Sequence, residues 1–221
     1  MLRALQNILI HILDLLLPRR CVGCSCTGTF LCHSCLAQLP HALPTDTDLI
    51  ACYEYNDKTV RRALWKMKYG NATELVNVFA EPLAEEIIAT LAELLSTPEL
   101  GESIALIPVP LHPKKARQRG YNQAELIANA LAKKIPEAVV YPSLITRTRN
   151  TESQTRTKSR AERERNVKGA FALLNNTVLP RICIVVDDII TSGATTRACA
   201  ALLKDAGVST VFRAAVAHGT I

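Results

Sequence analysis

The chain has 221 residues, a hydrophobic share of 48% and a formal net charge of +6. That length suits one α/β domain plus a small appendage, with material for a large core, and nothing in it is collagenous, repetitive or low-complexity. The positive balance, with a pI near 9.0, admits an anionic partner without naming one. Both charge and cysteine are unevenly spread. Eight Lys/Arg and three Glu lie between Arg147 and Lys168, and five of the eight Cys lie between Cys21 and Cys35.

Residues 1–17 read as an amphipathic helix. Arg3, Asn7, His11 and Asp14 recur three or four apart and form one polar stripe. The stretch is too short and polar for a membrane span, and no small-residue cleavage site follows it. No transmembrane segment or secretory signal is expected, and the clustered Cys point to a reducing, cytoplasmic setting. Residues 18–45 carry Cys21-x-x-Cys24 and Cys32-x-x-Cys35, with seven residues between the pairs. Two such turns can set four thiolates around one Zn²⁺. Cys26 and His33 stand outside this ligand set. A metal would fold a segment that has almost no core of its own.

Leu49–Tyr55 reads as an alternating strand. Asp57 is positioned to cap a helix through Tyr69, and 72–95 is helical with Pro82 as a break or a new first turn. The pattern then becomes regular. Ile104–Pro110 is a buried strand, Asn122–Lys134 a helix and Ala138–Ile145 a strand. The basic stretch 146–168 and "AFALL" follow, then a buried strand through Asp187, a helix closed by Gly207, and a last strand over Thr210–His218. Continuous apolar strands alternating with helices predict, over 46–221, a parallel sheet covered on both faces. Ligands of such sheets bind at the carboxyl ends of the strands. That rule selects 108–113, 146–168 and 187–195 as the rim of one site.

The most informative stretch is I-V-V-D-D-I-I-T-S-G-A-T-T, Ile184–Thr196. A buried strand delivers Asp187 and Asp188, and a loop of small and hydroxylated residues opens a helix. A helix N-terminus offers unpaired N–H groups and partial positive charge. Gly193 admits close backbone approach, and Thr191, Ser192 and Thr195 add donors around Ala194, which together make a cradle for a phosphate monoester. Carboxylates repel phosphate, so Asp187 and Asp188 suit sugar hydroxyls or water on Mg²⁺. No P-loop or dinucleotide-binding glycine motif is present. The stretch resembles the phosphoribosyl-diphosphate (PRPP) signature of type I phosphoribosyltransferases. The resemblance implies that Asp187 and Asp188 face the ribose and that Thr191–Thr195 hold the 5′-phosphate.

P-V-P-L-H-P (Pro108–Pro113) is followed by Lys114, Lys115, Arg117 and Arg119, a cationic cluster at a strand end. Pro110, Leu111, His112, Lys114, Arg117 and Arg119 are the candidate anion-binding residues, and in the phosphoribosyltransferase fold this loop would meet pyrophosphate. Within 147–168, Arg147, Arg156, Arg160 and Arg165 are candidates for a basic flap over bound PRPP or for tracking a DNA backbone. Tyr121 is a candidate for stacking on a base, although a lone Tyr is more often a packing residue. Taken with the four-Cys knuckle, with R-G-Y-N-Q-A (Arg119–Ala124) and with the Q-T-R…R-N-V…A-F spacing, the chain resembles the ComF family of competence and DNA-utilisation proteins. The K-Y-G of Lys68–Gly70 departs from that family's pattern, and no role is read there. The resemblance implies a zinc finger on a phosphoribosyltransferase-like domain, single-stranded DNA as a partner, and work beside the DNA-uptake machinery. It leaves open a Mg²⁺-dependent transferase acting from PRPP on an unidentified acceptor. A PRPP-responsive regulator ranks last, because no helix-turn-helix is evident.

Overall fold

The computed structural model describes residues 18–44, 46–70, 72–95, 103–148, 169–174 and 179–219. The helix expected over 1–17 and most of the basic stretch, with Arg156, Arg160 and Arg165, lie outside them.

Among the described residues, seven strands form two sheets. The main sheet contains β1 (Leu49–Glu54), β2 (Ile104–Pro108), β3 (Ala138–Val140), β6 (Ile182–Ile190) and β7 (Thr210–His218), in the order β1-β7-β6-β2-β3. All four pairings are parallel, with Leu106 opposite Ile184 and Asp187 opposite Ala215. β4 (Ile145–Arg147) and β5 (Phe171–Leu173) form a separate antiparallel pair. The helices are α1 (His33–Leu36), α2 (Lys58–Tyr69), α3 (Glu74–Leu95), α4 (Pro113–Arg119), α5 (Gln123–Ala132) and α6 (Ala194–Asp205).

Strand alternation divides the core in two. Ile104, Leu106, Ile184 and Val186 pack on one face with Leu64 and Met67 of α2, Phe79 and Leu83 of α3, and Ile127 of α5. Ala105, Ile107, Cys183 and Val185 pack on the other with Cys199 and Leu203 of α6 and with Phe171 and Ile145 of the small sheet. The sheet is therefore parallel and covered on both faces, as the continuous apolar runs predict. Cys52, Cys183 and Cys199 are buried. Cys21, Leu31 and Leu39 join the first core, so the cysteine segment borrows apolar cover from α2 and α3.

Several local expectations change. Pro82 lies inside one continuous helix. The buried stripe Leu75, Phe79, Leu83, Ile87 and Leu91 runs unbroken past it, and this packing outweighs one missing hydrogen bond. Ala138–Ile145 is two strands in two sheets, divided by the turn at Pro142-Ser143. Leu49–Tyr53 are all buried rather than alternating. β6 runs three residues beyond Asp187, and α6 begins at Ala194 behind Gly193.

Candidate functional site

The β6–α6 corner lies at the carboxyl edge of the central strand. Because β6 continues to Ile190, Asp187 and Asp188 sit within the strand and point to opposite faces. Asp188, 7% exposed, lies on the α2 face. Its Oδ2 is 2.9 Å from Lys68 Nζ, near the last turn of α2. Burial works against the Lys68 charge, but the Asp188 carboxylate, with Asp187 behind it, outweighs that and holds its pKa above the ordinary lysine value. Asp187 lies on the α6 face, near Cys199 and Arg147. Its Oδ1 accepts the Asp188 amide at 2.8 Å. Burial, and then the neighbouring Asp188 charge, push its carboxyl up to about 8.

The loop after β6 turns at Gly193, whose φ is +69°. No side chain caps α6 through Gly193. Ser192 Oγ lies 3.5 Å from the Ala194 amide, and Thr196 Oγ1 donates to the Gly193 carbonyl. Thr191 and Thr195 are half-buried at the same edge. The left-handed conformation of Gly193 favours glycine, and a side chain there would also press on two guanidinium groups. A Cβ there would stand 2.7 Å from Arg197 Nη1 and 3.2 Å from Arg213 Nη1. Arg213, on β7, is 2% exposed and paired with Asp46 and Asp48, just before β1. Its Nη1 is buried and, among the described residues, has no hydrogen-bond partner. Arg197 donates to the Ser192 carbonyl. Two guanidinium groups thus support the loop from below, next to a helix end that already favours negative charge.

The structure places the other candidates less uniformly. His112 caps α4, its Nδ1 accepting from the Lys114 amide. Pro110 and Leu111 are half-buried in the approach to α4, and Lys114 and Arg117 are exposed. Arg119 turns back onto α2, donating to Tyr69 Oη at 2.9 Å and to Gln123 Oε1. Tyr121 is half-buried and donates its hydroxyl to the Met67 carbonyl. Asn122 donates to the Val109 carbonyl and caps α5. The R-G-Y-N-Q run therefore clasps the end of α2, which carries Lys68. Arg147 covers the Phe171 ring, 5.4 Å from its centroid, and burial lowers its pKa.

Sequence reasoning missed Lys68, Arg197 and Arg213. Lys68 lies in the K-Y-G passed over as a departure, and its partner Asp188 is 120 residues away. Arg213 sits in an apolar strand pattern whose one charge was a usable signal, since a buried Arg must be paired.

At the other end, the thiols of Cys21, Cys24, Cys26 and Cys32 all lie within 4.8 Å of one another. Cys21 Sγ and Cys24 Sγ are each 3.7 Å from Cys32 Sγ. Cys26 enters because Ser25 adopts φ +65°, turning the chain so that the Cys21 amide bonds the Cys26 carbonyl. Cys35 touches the same cluster through Cys32, Cys24 and Cys21, and its Sγ packs where a Gly23 Cβ would be. Burial opposes ionisation of Cys21, but N–H groups of Cys24, Cys32 and Gly23 aimed at its sulfur outweigh this and bring its pKa to about 6. Soft, clustered thiols with N–H donors behind them fit Zn²⁺.

Among the described residues, no helix is long and apolar enough to cross a membrane. No family model matches the chain. It is similar to Competence protein F of Haemophilus influenzae, 33% identical over 133 residues, or 58% of this chain and 56% of that protein. DNA utilization protein YhgH of Shigella flexneri is 31% identical over 147 residues, 66% of this chain and 61% of that protein. Competence protein ComFC of Bacillus subtilis is 26% identical over 155 residues, 70% of this chain and 57% of that protein. The matches span less than two thirds of each relative's own length. These likenesses support the ComF family.

Proposed function

We propose that this chain is a competence-associated cytoplasmic protein that binds PRPP, or another 5-phosphoribosyl group, and handles imported single-stranded DNA beside the uptake machinery. The observation that carries the pocket is the juxtaposition in the β6–α6 corner. A central strand presents Asp187 and Asp188, and five residues after Asp188 the chain turns at Gly193, with φ +69°, into a helix N-terminus. Backbone N–H groups and the hydroxyls of Thr191, Ser192 and Thr195 hold the 5′-phosphate, while the carboxylates upstream receive ribose hydroxyls. The names of the similar proteins support the competence and DNA-utilisation role.

Mg²⁺ suits the hard oxygens here and would neutralise pyrophosphate. Lys68 engages Asp188 Oδ2 and the Asp188 amide engages Asp187 Oδ1, so the ion is assigned to the pair of carboxylates rather than to one of them. Zn²⁺ belongs to the segment 18–45, held by Cys21, Cys24 and Cys32 with Cys35 or Cys26 as the fourth thiolate. The domain over 46–221 carries the phosphoribosyl pocket. A transferase reading adds chemistry to that pocket, but no residue set among those described reads an acceptor base, so binding is the better-supported activity.

The test is titration calorimetry of PRPP with Mg²⁺ against the wild type, Asp188→Asn and Gly193→Ala. The wild type should give heat and both variants should lose it. Unchanged affinity in both would remove the pocket assignment. Filter binding of a labelled single strand across a salt series tests the DNA role, with steep weakening expected, and pyrophosphate release from PRPP with a panel of bases tests the transferase.

A further inference from the structure

The exposed side of α2 has no role in the phosphoribosyl pocket, yet it is chemically distinctive. Between Lys58 and Tyr69 there are five basic residues and no acidic one. Lys58, Arg61, Arg62, Trp65 and Tyr69 are all exposed and recur three or four apart, so they share one face. Trp65 is 63% and Tyr69 58% exposed, with their rings 5.5 Å apart. A groove of about 430 Å³ runs beside Trp65, walled by Arg61, Arg62, Lys66 and by Val22 of the cysteine segment. Lys66 stands 4.7 Å over the Phe30 ring, and Arg119 extends the basic row at Tyr69. Among the described residues, Arg61 and Arg62 form no ion pair.

We infer that this face binds single-stranded nucleic acid, with unpaired bases stacking on Trp65 and Tyr69 and phosphates held by Arg61, Arg62 and Lys66. Large exposed rings beside unpaired cations match the two needs of such a strand, a π-platform and neutralising charge. A duplex hides its base faces and can use only the charge. The inference rests on the single-stranded DNA reading above and gives that DNA a location. It also links the two ligands, because the same helix sends Lys68 inward to Asp188.

Trp65 is the chain's one tryptophan, so its emission reports this face alone. The full-length protein is titrated with a labelled oligothymidylate of ~15 nucleotides, a length within known single-strand sites, following anisotropy and Trp65 emission together. Binding should quench Trp65, and a duplex of equal length should quench it far less. Trp65→Ala should weaken binding about tenfold, the loss of one base stack. Arg61→Ala with Arg62→Ala should lower the slope of log K against log salt by about 1.4, two phosphate contacts on a single strand. Circular dichroism checks that each variant is folded. Unaltered Trp65 emission on binding, with wild-type affinity in all these variants, would overturn this location and leave the DNA reading standing. No oligothymidylate binding by the wild type would overturn both. Emission that follows protein concentration but ignores the oligonucleotide would assign the face to self-association and overturn it too.

Discussion

Replacing Lys68 by Met tests the contact that joins α2 to the β6 edge. The side chains of Lys68 and Asp188 are 20% and 10% exposed, and their charged atoms are 2.9 Å apart. At an effective dielectric near 20 the gross attraction is about 6 kcal/mol, most of it offset by the desolvation of both ions. Removing one partner leaves Asp188 charged, largely buried and beside Asp187. Such deletions cost about 3–5 kcal/mol, and the partial exposure of Lys68 puts this one near the low end, about 3 kcal/mol. For a chain of this size that is a fall in Tm of ~6–12 °C. Lys68 has a raised pKa in the folded state, so its contribution is fully present at pH 7 and fades only above the ordinary lysine range. Urea denaturation followed by circular dichroism measures the loss. A cycle with Asp188→Asn should return a coupling of about 1–3 kcal/mol. A Lys68→Met protein as stable as the wild type, or a coupling near zero, would show that the pair does not hold α2 on the sheet edge.

Asp187 has a folded-state pKa raised to about 8. Its favourable contribution is therefore full below about pH 4, the unfolded range, and is lost as pH rises through about 8. Asp187→Asn should gain on the wild type between pH 5 and pH 9, and a constant difference in urea midpoints across that range would contradict the assignment. Mg²⁺ affinity at the pair of carboxylates should rise over the same interval as the proton leaves, which calorimetry at several pH values detects. For the thiols, elemental analysis should find one Zn²⁺ per chain, lost in Cys21→Ser and in Cys32→Ser. Of Cys26→Ser and Cys35→Ser, the one that keeps zinc identifies the spare sulfur. Full zinc in Cys21→Ser and Cys32→Ser would refute the cluster as a metal site. Arg213→Met removes the Arg213 pairs of Asp46 and Asp48 and leaves Asp46 with only the longer contact to Arg197. Because those carboxylates are part-exposed, the expected loss is about 2–3 kcal/mol, with faster amide exchange around Gly193. Unchanged exchange there would separate Arg213 from the loop.

The sequence by itself determined the parallel α/β class, the cap at Asp57, the last strand over Thr210–His218 and the strand–loop–helix around Asp187–Thr195. These features are written in local terms: consecutive apolar residues for a strand covered on both faces, side-chain acceptors before helices, and small residues where the backbone must turn. It also collected the thiols into one short segment, but not their arrangement, because a left-handed turn at Ser25 brings Cys26 to the other thiols. Only the tertiary structure set Lys68 on Asp188, sent Asp187 and Asp188 to opposite faces, seated Arg213 beneath Gly193 and left Trp65 and Tyr69 facing solvent among cations. Those results depend on which strands are neighbours, on how far β6 continues past Asp187, and on which helix covers which face. Sheet order and helix docking are fixed by contacts between residues far apart in the chain, and periodicity along one segment carries no record of them.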